Sequence, residues 1–94
     1  MKTKNGAEIT EFSQLHLNNI SVELLGGDQE KCAEVFVKMG VIPSKEWGGF
    51  KEGDKWFRFY KIGNMVCYGT FKFVPRSTED SITSTQFLEE YGEA

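Results

Sequence analysis

Long apolar runs are missing from these 94 residues. No stretch approaches the roughly 20 apolar residues that a helix needs to cross a bilayer. The opening MKTKNGAEIT also lacks the apolar segment of a secretory leader, so a cytoplasmic protein with no membrane partner is expected. Histidine occurs once, as His16, and cysteine twice, as Cys32 and Cys67 with 34 residues between them. That spacing matches no zinc or redox motif, so two buried free thiols, no metal and no cofactor are expected. Acid–base and nucleophilic catalysis need groups paired at hydrogen-bond range, and nothing in the chain pairs His16 with a nucleophile. WGGFKEGDKW, residues 47–56, is rich in glycine but lacks the lysine–serine ending of a phosphate loop. The chain is therefore expected not to be an enzyme.

Aromatic residues, by contrast, are plentiful: eight Phe, three Tyr and two Trp. Each buried ring removes roughly 150–250 Å² from water, enough for a real core in a single domain spanning 1–94. The net charge of −3 is unevenly spread. Residues 1–50 carry five basic and seven acidic groups, residues 51–76 six and two, and residues 77–94 none and five. A basic, aromatic middle thus precedes an acidic tail, a split that marks either a polyanion-binding face or a self-neutralising contact.

Local patterns predict the elements. Residues 9–17, ITEFSQLHL, fit either a short helical turn through Ile9, Phe12 and Leu15 or a strand near Leu17 that leads into an Asn18-Asn19 turn; the strand is preferred. ISVELL, residues 20–25, alternates as a strand with Ile20, Val22 and Leu24 on one side. Asp28 is placed as the N-cap of the main helix, about 29–39, whose stripe of Cys32, Val35, Phe36 and Met39 ends at Gly40. VIPSKEW, residues 41–47, reads as extended because the position before Pro43 disfavours helix. KWFRFYKIGNMVCYGTFKF, residues 55–73, reads as a hairpin around Gly63-Asn64. After a loop, Phe87, Leu88 and Tyr91 form the stripe of a short C-terminal helix with caps available at Thr83, Ser84 and Thr85. The expected fold is α+β: an antiparallel sheet of about four strands, the main helix on one face, and the short C-terminal helix.

A two-residue loop at Gly63-Asn64 sorts the hairpin into two faces, because cross-strand partners share a face. One holds Trp56, Arg58, Tyr60, Ile62, Met65, Cys67, Gly69, Phe71 and Phe73. It is nearly all apolar and is expected to pack on the main helix, with Gly69 leaving room for Arg58. The other holds Phe57, Phe59 and Tyr68 among Lys55, Lys61 and Lys72. Three uses of this second face are open. The acidic tail helix can cover it, with Phe87 and Leu88 over the rings and Glu89, Glu90 and Glu93 near the lysines. It can dock a protein partner or a second copy, since central aromatics with a charged rim suit a binding hot spot. It can also stack single-stranded nucleic acid or a nucleotide, although the chain as a whole is acidic. The expected function is a small binding protein of regulator or inhibitor type acting through a protein–protein interface, with nucleic-acid binding as the alternative. Its expected anchors are Phe57, Phe59 and Tyr68, oriented by Lys55, Lys61 and Lys72, with Trp47 as a further candidate.

Overall fold

The Gly63-Asn64 turn joins the two longest strands among the described residues into a hairpin. In the computed structural model, which describes residues 1–43, 53–72 and 79–92, β3 (Trp56–Ile62) and β4 (Met65–Phe71) pair antiparallel from Ile62↔Met65 through to Trp56↔Phe71. Gly63 occupies the left-handed region at φ 62°, which glycine enters without a Cβ clash. The register is the one expected from the sequence.

Around this hairpin the sheet is larger than expected and mixed. β1 (Ser21–Glu23) pairs antiparallel with β3, β2 (Ile42–Pro43) parallel with β4, and β5 (Ser81–Thr83) parallel with β1. The order is β2-β4-β3-β1-β5. An α+β domain is as expected, but an antiparallel sheet of about four strands is not what forms. The added members are strands of two and three residues on the edges, too short to show an alternation of their own. What holds them is pairing with longer neighbours.

α1 (Ser13–Leu17), α2 (Asp28–Met39) and α3 (Ser84–Tyr91) all meet the same sheet face. The preferred strand near Leu17 is thus a helix instead. The Gln14 side chain fixes the turn that leads into it, because its Oε1 accepts from the backbone N–H groups of Thr10 and Glu11, just ahead of the helix, at 2.6 and 2.8 Å. Asn19 turns the chain into β1 with φ 54°.

α2 carries the expected stripe, with Cys32, Val35 and Phe36 buried. It ends as a Schellman motif: Gly40 N–H donates to Val37 O at 3.2 Å and Val41 N–H to Phe36 O at 2.9 Å, with Gly40 left-handed at φ 75°. Its start differs from expectation. Gly27 is the cap, and Asp28 is the first helical residue and makes no capping bond. The Asp28 carboxylate instead accepts from the buried Ser84 hydroxyl at 2.7 Å, and Ser84 Oγ accepts from Leu25 N–H at 2.8 Å. One hydroxyl thereby ties the starts of α2 and α3 to the end of β1. α3 has a full capping box between Thr83 and Gln86.

The core fills the space between helices and sheet. Phe36 meets Tyr68, Phe57, Phe59 and Phe87 with ring centroids 4.4, 5.1, 5.3 and 5.9 Å apart. Phe12 of the α1 approach packs edge-on against Phe59 at 4.9 Å. Val22, Ile82 and Leu15 are also part of the cluster.

Among the described residues, each sheet edge carries a feature that hinders addition of a further strand. β2 ends in Pro43, which has no N–H to donate. β5 is flanked by the N-terminal segment, where Lys4 N–H donates to Ser81 O at 2.8 Å. That contact is reinforced by Asp80, which accepts from the Thr3 hydroxyl and from Asn5 N–H. Burial by itself raises the Asp80 carboxyl, but the bonds from Thr3, Asn5 and Ser81 outweigh it and hold it below the usual carboxylate value.

Two predictions follow from this packing. Phe36→Ala should cost about 3–5 kcal/mol, read by urea unfolding, while Val37→Ala on the same helix, at a site 80% exposed, should stay within about 0.5 kcal/mol; equal costs would contradict the packing. A lowered carboxyl stabilises the fold above its unfolded value and loses that contribution as pH falls through its folded value. The stability gap between the wild type and Asp80→Asn should therefore be widest near neutral pH and close below about pH 4. A gap independent of pH would remove Asp80 from that role.

Candidate interaction surface

Because Val22 pairs with Phe57 and with Ile82, the face bearing Phe57, Phe59 and Tyr68 is the one that receives the apolar side of β1. This face packs under the helices, and the face expected to meet α2 is the outer one. Phe57, Phe59 and Tyr68 are buried, so they are core residues without an accessible ring surface. The first of the three uses, coverage by the tail helix, is the arrangement present: Phe87 of α3 lies 5.6 Å from Phe57 and 5.7 Å from Phe59. Burial also raises the Tyr68 hydroxyl.

The lysines expected beside these rings are exposed but not gathered. Lys55 and Lys72 flank the open end of the hairpin, and Lys61 sits next to its turn, about 20 Å away along β3 at about 3.3 Å per residue. Among the described residues neither Glu89 nor Glu90 pairs with any of them. Trp47, Phe73 and Glu93 lie outside the described residues.

The outer face is built in rows set by the strand register. Glu23, Trp56 and Phe71 form the row at the open end, with the Trp56 and Phe71 rings nearly parallel at 12° and 6.4 Å apart. Ser21, Arg58 and Gly69 form the next. Arg58 has a small residue on either side, as the expected pairing with Gly69 implied. Its Nε and Nη2 donate to the fully buried Ser21 hydroxyl at 3.3 and 3.0 Å, Nη2 also pairs with Glu79, and the guanidinium lies 5.8 Å from the centre of the Phe71 ring. The charge is thus fully engaged inside the protein, and an acid of the tail is its partner.

Tyr60, Cys67 and Ile42 form the third row, and Ile62 and Met65 the last. Here the face opens. Ile42, Ile62 and Met65 are 40%, 60% and 52% exposed, and Tyr60 is half-buried beside them. Sequence reasoning expected Tyr60, Ile62 and Met65 to pack on the main helix because their hairpin face is the more apolar of the two, and it gave Ile42 no role beyond an extended segment. The pattern that reveals the opposite outcome is in β1, whose outward positions are Ser21 and Glu23.

Neither cysteine offers a nucleophile. Burial, with the Asp28 charge adding to it, pushes the Cys32 thiol up to about 12, and Cys67 is buried as well. His16 hydrogen-bonds to neither. No group of three metal-ligating side chains occurs among the described residues, nor is any helix there long and apolar enough to cross a membrane. Comparison of the chain with protein-family models, with curated proteins and with solved structures returns no match.

Arg58 anchors the outer face, and its removal should be felt there. Arg58→Ala should cost about 1–3 kcal/mol in urea unfolding, because it leaves the buried Ser21 hydroxyl without its donors. Adding Ser21→Ala to that variant should recover part of the loss. Simple additivity of the two changes would show that they do not act as a pair.

Proposed function

We propose that this chain is a small non-catalytic binding protein, of regulator or inhibitor type, that docks a protein partner face-on at the turn end of the outer sheet face. The observation that carries this reading is the cluster of Ile42, Ile62 and Met65 around Tyr60. These residues are adjacent in the sheet register, and the three helices pack on the opposite face. An aromatic with flanking aliphatic and methionine side chains matches the anatomy of interface centres, and methionine adapts to irregular partner surfaces. Isolated exposed apolar residues are ordinary, whereas contiguous ones are not.

Face-on docking is favoured over strand addition because Pro43 stands on one sheet edge and the N-terminal segment on the other. Base stacking on Phe57, Phe59 and Tyr68 has no open ring to use, so nucleic-acid binding is not carried forward.

Photo-crosslinking in the native host tests the reading. A photoreactive residue at Met65 or Ile62 should give a discrete adduct with one partner chain, while the same residue at exposed Glu30, on α2, should not. Ile62→Lys should abolish the adduct formed from position 65 without lowering stability. Equal labelling from all three positions would refute the surface.

A further inference from the structure

At the end of the sheet away from the turn, a cleft of about 420 Å³ opens beside the N-terminal segment. Its size is within the roughly 300–1,000 Å³ of small-molecule sites. Trp56 contributes an apolar edge, and Lys2, Lys4, Glu23 and Thr83 contribute polar groups. The cleft belongs to the Glu23–Trp56 row, about 20 Å along β3 from Ile62, so it is separate from the docking surface and does not depend on it.

Several of these groups have no counterpart within the protein. Lys2, Lys4 and Glu23 share the cleft, yet among the described residues none of the three charges has an ion-pair partner. Trp56 is only 8% exposed, and its indole N–H has no acceptor among the described residues. No buried side-chain nitrogen there is left unpaired, so this N–H must lie at the small part of the ring that solvent reaches. Thr83 and Gln86, by contrast, are engaged with each other in the capping box, and the Gln86 amide also donates to Lys2 O at 2.8 Å. They form a held wall that keeps the N-terminal segment in place beside the open charges.

We infer that the cleft binds a free amino acid with an apolar or aromatic side chain. A plain carboxylate meets the two lysines but is repelled by Glu23. A plain amine meets Glu23 but is repelled by the lysines. A molecule that carries both charges on one carbon satisfies both signs, its carboxylate can also accept from the indole N–H, and its side chain lies along the Trp56 edge of the cleft. Charge-assisted hydrogen bonds at both ends give orientation as well as affinity.

The test uses three probes on the wild-type chain: L-phenylalanine, 3-phenylpropionate, which lacks the ammonium, and phenethylamine, which lacks the carboxylate. The readout is the indole N–H resonance of Trp56 in isotope-labelled protein, assigned by its loss in Trp56→Phe. Phenylalanine should shift this resonance saturably, and each of the other probes should bind at least about tenfold more weakly. Glu23→Gln should weaken phenylalanine and strengthen 3-phenylpropionate, reversing their order. Lys2→Ser with Lys4→Ser should weaken both. No shift with phenylalanine, or equal binding of phenylalanine and 3-phenylpropionate to the wild type, would overturn the inference. Both of these outcomes are read on the unmutated protein and so do not depend on a variant folding.

Discussion

The Phe36 ring is the contact on which the rest of this structure depends. It projects from α2 into the gap between Phe57, Phe59, Tyr68 and Phe87, and it is the C3 residue of the Schellman motif that ends the helix. Its carbonyl accepts from Val41 N–H, so the ring's position and the exit of the chain into β2 are set together. Edge-on ring pairs of this kind add about 0.5–1.5 kcal/mol each beyond simple burial. α2 is therefore committed to one face of the hairpin, and α3 follows through Phe87 and the Ser84–Asp28 bond.

That commitment decides what is left outside. With the helices on the Phe57 face, Trp56, Arg58, Tyr60, Ile62, Met65, Cys67 and Phe71 face the other way. At the open end of this face, ring contact and the Arg58–Ser21–Glu79 cluster hold the side chains in place. At the turn end, no comparable set of contacts among the described residues holds Ile62 and Met65. The docking surface is thus a consequence of where the core formed. The charge split has a similar resolution. Glu79 and Asp80 of the acidic tail serve Arg58 and the N-terminal segment, and Lys55, Lys61 and Lys72 remain solvated at two separate ends of the hairpin.

Much of the local structure was legible in the sequence. The Gly63-Asn64 register, the stripe of α2, the left-handed Gly40, the alternation of Ile20, Val22 and Leu24, and the capped tail helix each depend on residues close together in the chain, where turn and capping chemistry act. Three features were not legible. β2 and β5 are too short to carry a period. The α1 segment contains apolar spacings that fit both a helix and a strand, and the Gln14 side chain decides between them. Asp28 has the right chemistry for a cap, but its carboxylate is drawn to Ser84, 56 residues away.

The hairpin faces mark the boundary most clearly. The sequence by itself determined which residues share a face, because strand geometry alternates side chains with period two and the turn sets the pairing. It did not determine which face is inside. Counted over the hairpin alone, the Trp56 face is the more apolar. Counted over the whole sheet, Val22 and Ile82 join Phe57, while Ser21, Glu23, Ser81 and Thr83 join the other side. Only the tertiary structure brings those strands into register, and burial responds to the summed apolar area of a face rather than to any one hairpin. For that reason Phe57, Phe59 and Tyr68 form the core, and Ile42, Ile62 and Met65 form the surface.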